Sequence, residues 1–174
     1  FKKIYNSKMK NINYKHHIDG LRAISVISVI IYHTNLSFFN IKLTGGYLGV
    51  DIFFIISGYL ISKILLNEYS TSRKIDILNF YQRRIRRILP AYLFVIFVVL
   101  IAANFFLLEN QIKDLVNSVI SSLLFFANYF FYFSGNSYAD PEMMYRPLVH
   151  LWSLAVEEQF YLFFPLILII FIRK

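Results

Sequence analysis

Long apolar stretches separated by short basic blocks run through this chain of 174 residues. Five such stretches follow one another: Ile18 to Phe39, Tyr47 to Leu66, Ile88 to Leu108, Val116 to Phe133 and Leu151 to Ile172. Each comes near the ~20 residues that a helix needs to cross the hydrocarbon core of a bilayer. No two-residue alternation dominates, which argues against a β-barrel, and no self-similar repeat is visible. The expected fold is all-α: a polytopic transmembrane helical bundle.

Composition agrees. Hydrophobic residues make up 57% of the chain and charged residues only 16%, where a soluble domain carries nearer ~25% charge. The same balance excludes a disordered chain. There is no cysteine, so disulfides and thiolate metal sites are absent, and no metal is expected. The net charge of +8 raises the possibility of nucleic acid. Its placement in blocks between apolar runs instead follows the positive-inside rule, so nucleic acid is not an expected partner. Richness in Ile, Phe, Asn, Lys and Tyr reads as the coding bias of an AT-rich bacterial genome. A start at Phe1 and an end at Arg173-Lys174, directly after an apolar run, read as the edges of a longer protein.

The basic blocks orient the chain. Lys2, Lys3, Lys8, Lys10 and Lys15 crowd the tail over residues 1–17, and no acid balances them. A basic start before an apolar run has the outline of a signal peptide, but the run is long and no small-residue cleavage site follows. Lys63, Arg73, Lys74, Arg83, Arg84, Arg86 and Arg87 flank the second and third spans, whereas Lys42 stands alone between the first two. The N-terminus and a loop over 67–87 are therefore expected in the cytoplasm, with the protein in the plasma (inner) membrane. Beyond the third span two topologies compete. The segment 116–134 either crosses fully, or dips in and returns on the same side. Asn117, Ser118, Ser121, Ser122 and Asn128 make it more polar than the third span, which favours re-entry.

Ionisable residues inside apolar runs are the candidates for chemistry. Asp19 and Arg22 open the first span, and His33 follows Arg22 after ten intervening residues. At ~100° per residue His33 returns to within ~20° of the Arg22 face, about 16 Å further along the axis. The bland reading makes Asp19 and Arg22 a snorkelling interfacial pair. His33 suits general-base work, because an unperturbed imidazole titrates near neutrality. Asp51 enters the second span beside Gly49, with Gly58 about two turns beyond. The glycines read as packing contacts, and the acid as a first-turn residue favoured by the helix dipole.

Before the third span, four arginines fall within residues 83–87. They set topology, and they also make a phosphate site, because guanidinium forks bind phosphate in a bidentate manner. Arg84 and Arg87 share a face if helical. Anionic lipid headgroups are the rival ligand. In the fifth stretch His150, Ser153, Glu157 and Tyr161 fall on one helical face. Glu157 is the candidate acid. Only one of Glu157 and Glu158 can share that face, and Trp152 and Tyr161 double as interfacial anchors.

Four separated motifs resemble the acyltransferase 3 family of bacterial membrane O-acyltransferases acting on surface glycans. They are Asp19-Gly20-Leu21-Arg22-Ala23 with His33; Gly49-Val50-Asp51 with Phe53-Phe54 and Ser57-Gly58; Arg84 to Arg87 with Ile88 and Pro90; and His150-Leu151-Trp152-Ser153-Leu154 with Glu157, Gln159-Phe160-Tyr161 and Pro165. Arg83 and Arg86 fit the third spacing equally, so its register is open. The resemblance implies that residues 18–174 are the N-terminal half of a larger transmembrane domain. It implies transfer of an acyl group, often acetyl, from cytoplasmic acyl-CoA to a hydroxyl of an extracytoplasmic glycan or lipid-linked saccharide. Membrane lipids, acyl-CoA and that acceptor are the implied partners. His33, Glu157, Asp19 and Arg22 are the implied catalytic set, with Arg84 and Arg87 holding the donor. The competing reading is a proton-coupled transporter or lipid-binding bundle, since buried Asp, His and Glu also build proton relays. Such a carrier has no need of an arginine phosphate site.

Overall fold

The computed structural model of the protein describes residues 16–34, the strand positions 37–38 and 41–42, and residues 45–134 and 146–172. Two compact units are found, Phe1–Ser62 and Lys63–Lys174. Three helices among the described residues are long and apolar enough to cross a membrane.

In the first unit, helix α1 spans His16–His33. A two-residue antiparallel ladder follows, β1 (Ser37–Phe38) on β2 (Ile41–Lys42), with Ser37 opposite Lys42 and Phe38 opposite Ile41. Helix α2 runs over Leu48–Ser72. Its N-terminal end approaches α1 closely, and the glycines explain how. A Cβ at Gly49 would clash with the Ser25 carbonyl oxygen and would lie 2.8 Å from Val29 Cγ2; one at Gly46 would meet Tyr32 Cβ at 2.6 Å. Backbone-to-backbone packing of this kind needs residues without a side chain. Ser25, buried at that crossing, turns its hydroxyl inward and donates to the Leu21 carbonyl at 2.8 Å.

The first span was expected to reach Phe39, but α1 stops at His33. Thr34 closes it, with its backbone N–H on Ile30 O at 2.9 Å and its hydroxyl donating to the same carbonyl at 3.0 Å. Helix α1 is not among the three apolar candidates. His16, His17, Asp19 and Arg22 dilute its hydrophobic face.

In the second unit, helix α3 spans Ile77–Phe106. The expected loop over 67–87 contracts to the turn between α2 and α3. Arg73 ends α2 in the left-handed region (φ 55°), its N–H on Tyr69 O at 2.8 Å. Asp76 caps α3, accepting from the Asn79 N–H at 3.0 Å, while its own N–H donates to Glu68 Oε1 at 3.1 Å. The arginine cluster thus lies on a helix, and the helix continues through Pro90. Thirty residues make α3 about 45 Å long, against a hydrocarbon core of about 30 Å.

The fourth apolar stretch is broken. Helix α4 covers Glu109–Leu123 and helix α5 covers Ala127–Phe133. Neither reaches the ~20 residues of a crossing helix, so 116–133 does not cross as one continuous helix. Leu115, Ser118, Val119 and Ser122 form the buried stripe of α4, at helical spacing. The break is a Schellman turn: the Phe126 N–H reaches Ser121 O and the Phe125 N–H reaches Ser122 O, both at 2.8 Å. Phe125 takes the left-handed position (φ 55°) that glycine normally fills.

Helix α6, Leu151–Ile172, packs along α5. The core of this unit joins Tyr92, Ile96 and Ala103 of α3, Leu115 and Val119 of α4, Ala127 and Phe131 of α5, and Leu148, Leu151 and Ala155 at the start of α6. The outward flank of α3 is bare apolar surface, with Phe94 66%, Phe97 61% and Phe105 79% exposed. Surface of that kind suits lipid or further apolar helices rather than water.

Candidate functional site

The polar residues fall into two groups, one in each unit. In the first unit Asp19 and Arg22 sit one turn apart on α1 and are half-buried. The Arg22 guanidinium lies over the Phe53 ring of α2, 5.6 Å from its centroid. Asp19 Oδ2 and Arg22 Nε are both shielded from solvent and have no hydrogen-bond partner among the described residues. His33 is far from them, on the last turn of α1, and it is exposed. Its ring meets Tyr32 edge-on at 5.3 Å. Asp51 is exposed on the first turn of α2.

The second unit gathers charges from α3 and α6. Periodicity correctly put Glu157 and Tyr161 on one face: Glu157 is 7% exposed, Tyr161 is 4% exposed, and the phenol donates to Glu157 Oε1. Arg84 crosses from α3 to meet them. Its guanidinium lies 4.8 Å from the centroid of the Tyr161 ring and 5.7 Å from that of Phe80. It lies in the field of Glu157 and Glu158 as well as of Arg87. Two aromatic faces hold the plane of the guanidinium, and no hydrogen bond occupies its N–H edge among the described residues. Tyr81 ties the same helices together, donating to the Leu162 carbonyl at 2.6 Å.

The four arginines therefore differ. Arg83 turns to Glu68 at 3.9 Å and is solvent-exposed, and Arg86 and Arg87 are exposed. Of the two registers that the spacing left open, only the one containing Arg84 has a member turned onto α6.

Several polar residues to which the sequence assigns no role in the site make contacts in this unit. Glu158 is half-buried beside Glu157, and its Oε1 is shielded with no hydrogen-bond partner among the described residues. Tyr92 donates to the Ser122 carbonyl at 2.6 Å and stacks on Phe125 at 5.3 Å. Gln159 donates to Phe125 O at 2.8 Å and to Asn128 Oδ1 at 3.0 Å. Arg146 bridges Asp114 at 3.1 Å and Ser134 Oγ at 2.7 Å. Gln159 stands beside Glu157 in a recognised motif, but its partners Phe125 and Asn128 are 34 and 31 residues away in the chain. No group of three or more His, Cys, Asp or Glu that could hold a metal ion occurs among the described residues.

Comparison with known proteins adds a lineage to this geometry. The profile of the acyltransferase 3 family, described as an acyltransferase domain, matches residues 15–174. The chain is 44% identical over 167 residues to the O-acetyltransferase OatA of Staphylococcus aureus strain NCTC 8325 / PS 47, covering 96% of this chain and 27% of that protein. The OatA proteins of strains COL and MRSA252 match to the same extent. The chain thus spans about a quarter of the length of the curated relatives it matches. No solved structure matches it. With a family profile covering nearly its whole length, this chain belongs to the acyltransferase 3 family.

Proposed function

We propose that the protein to which this chain belongs is a membrane O-acyltransferase. It moves an acyl group, acetyl by preference, from cytoplasmic acyl-CoA to a hydroxyl of an extracytoplasmic glycan or lipid-linked saccharide. The observation that carries this reading is the 44% identity, over nearly the whole chain, to proteins that are called O-acetyltransferases.

The side chains have chemistry suited to it. Arg84 and Arg87, one turn apart on α3, offer positive charge to the phosphates of the donor. The aromatic faces of Phe80 and Tyr161 support Arg84 with its N–H edge open. His33 accepts the proton of the acceptor hydroxyl. The hydroxyl oxygen then attacks the thioester carbonyl, the carbon–sulfur bond breaks, and the imidazolium returns the proton to the departing thiolate. In a two-step form His33 carries the acyl group briefly before passing it on. Asp19 and Arg22 position the donor arm, and Glu157 orients the acceptor hydroxyl. Residues 18–174 belong to the catalytic transmembrane domain, preceded by a basic cytoplasmic tail over 1–17. The enzyme sits in the plasma membrane with its N-terminus and the Arg73–Asp76 turn in the cytoplasm.

The test uses the full-length protein in native membranes, supplied with labelled acetyl-CoA. Label is expected in surface saccharide with the wild type and not with His33→Ala. Undiminished labelling in that variant would overturn the role given to His33. Labelling by the wild type that does not depend on acetyl-CoA would overturn the donor.

A further inference from the structure

An amide side chain on an apolar membrane helix is costly unless its hydrogen bonds are made. Gln159 of α6 makes three. Its Nε2 donates to the Phe125 carbonyl at 2.8 Å and to Asn128 Oδ1 at 3.0 Å, and its Oε1 accepts from Asn128 Nδ2 at 3.3 Å. The Phe125 carbonyl is an open acceptor only because the helix breaks there. Helix α5 starts after Phe126, whose own carbonyl takes the Phe130 N–H at 3.1 Å. Gln159 thus satisfies the backbone group that the break exposes.

Its position on α6 gives this contact a consequence. Gln159 is two residues from Glu157 and two from Tyr161, a turn of about 200° in each direction. It therefore faces α5 while Glu157 and Tyr161 face Arg84 on α3. The helix is held on opposite sides, by amide hydrogen bonds on one and by the Arg84 stack on the other. A helix with its side chains is about 10–12 Å across, so rotation by ~20° sweeps a side-chain tip by ~2 Å. A displacement of ~1 Å at a reacting group is enough to cost on the order of 100-fold in rate.

We propose that Gln159, paired with Asn128, is a positioning residue that fixes the rotation of α6 and so keeps Glu157 and Tyr161 turned to Arg84. The kinetic consequence rests on the acyltransferase reading given above; the geometric part does not.

Two measurements on the full-length protein in lipid nanodiscs test it. In a background without other cysteines, the pair Tyr81→Cys and Leu162→Cys reports the α3–α6 contact through its cross-linking rate with a short bismaleimide. Adding Gln159→Met, which keeps the volume and removes the hydrogen bonds, is expected to lower that rate severalfold. An unchanged rate overturns the proposal, whatever the enzyme does. In steady-state transfer, Gln159→Met is expected to lower kcat about tenfold, as a misplaced group does, with the donor KM nearly unchanged. Asn128→Leu is expected to add little on top of it, because the two side chains act as one unit. A kcat per folded molecule equal to wild type, or losses from the two substitutions that multiply, would overturn it. If the wild-type protein transfers no acyl group, the acyltransferase reading fails and the cross-linking arm alone decides the positioning role.

Discussion

Four arginines on neighbouring positions of one helix do not share one environment, and that difference is the basis of the residue-scale predictions. Arg84 is held between two rings and faces two carboxylates, while Arg87 one turn on is exposed. Charged hydrogen bonds contribute about 1.5–3 kcal/mol each, so Arg84→Ala is expected to raise the donor KM at least about tenfold. Arg86→Ala is expected to leave the KM within about twofold, as an exposed charge does. Steady-state kinetics with varied acyl-CoA distinguishes the two. Tyr161→Phe keeps the ring over Arg84 and removes the donor to Glu157. It is expected to lower kcat with little effect on KM, because the donor site proposed on α3 keeps all its residues. Loss of donor affinity in that variant would show that the phenol, rather than its ring, supports Arg84.

Among the elements, the broken segment and the helix caps are where sequence and structure part. Phe125 occupies a left-handed position at the end of α4 and still stacks on Tyr92. A non-glycine residue there costs about 1–2 kcal/mol of backbone strain, which the stack and the Gln159 hydrogen bond offset. Phe125→Ala keeps the strain and loses the ring, so it is expected to destabilise the protein. Phe125→Gly is expected to be about 1 kcal/mol better than Phe125→Ala, because glycine adopts that conformation freely. Thermal unfolding in detergent ranks them; equal stability would place the cost elsewhere. The cap of α3 gives a pH prediction. The backbone N–H of Asn79, then its side-chain amide, hold the Asp76 carboxyl below its ordinary value, with help from the Arg83 charge. Its contribution is therefore fully present above the ordinary carboxylate pKa and is lost as pH falls through the lower folded value. Asp76→Ala is expected to cost about 1 kcal/mol near neutrality and progressively less in acid. A cost that persists below the folded value would refute the capping account.

Viewed as a whole molecule, the chain carries more apolar surface than water accepts, and its basic residues cluster at the turn between α2 and α3. The family and the apolar helices make it a membrane protein. In the orientation proposed above, which puts the tail and that turn in the cytoplasm, Lys74→Cys is expected to react with a membrane-impermeant maleimide only after cells are permeabilised. Labelling of intact cells would invert the orientation. The glycine crossing of α1 and α2 gives a stability counterpart. Gly49→Leu forces a side chain into the Ser25 backbone, where a Cβ alone already has no room. It is expected to cost more than the ~1–3 kcal/mol of ordinary overpacking, read as lost folded protein.

What could be read from the chain alone follows from periodicity and transfer energy, which are local. Twenty-residue apolar runs need no neighbour to declare themselves helices; α6 has the expected bounds, while α2 and α3 cover nearly all of their apolar runs and extend into the expected loop. A spacing of four residues puts Glu157 and Tyr161 on one helical face, and the two side chains meet there. Other features depend on contacts between distant residues, and only the tertiary structure decided those. The spacing of the arginines allowed two registers, and which one turns inward depends on Phe80 and on Tyr161, far along the chain. The break at Phe125 carried no glycine or proline to announce it, because the strain is offset by Tyr92 and Gln159 rather than by local chemistry. Local sequence therefore determined which segments are helices, and packing determined where they stop and which polar side chains meet.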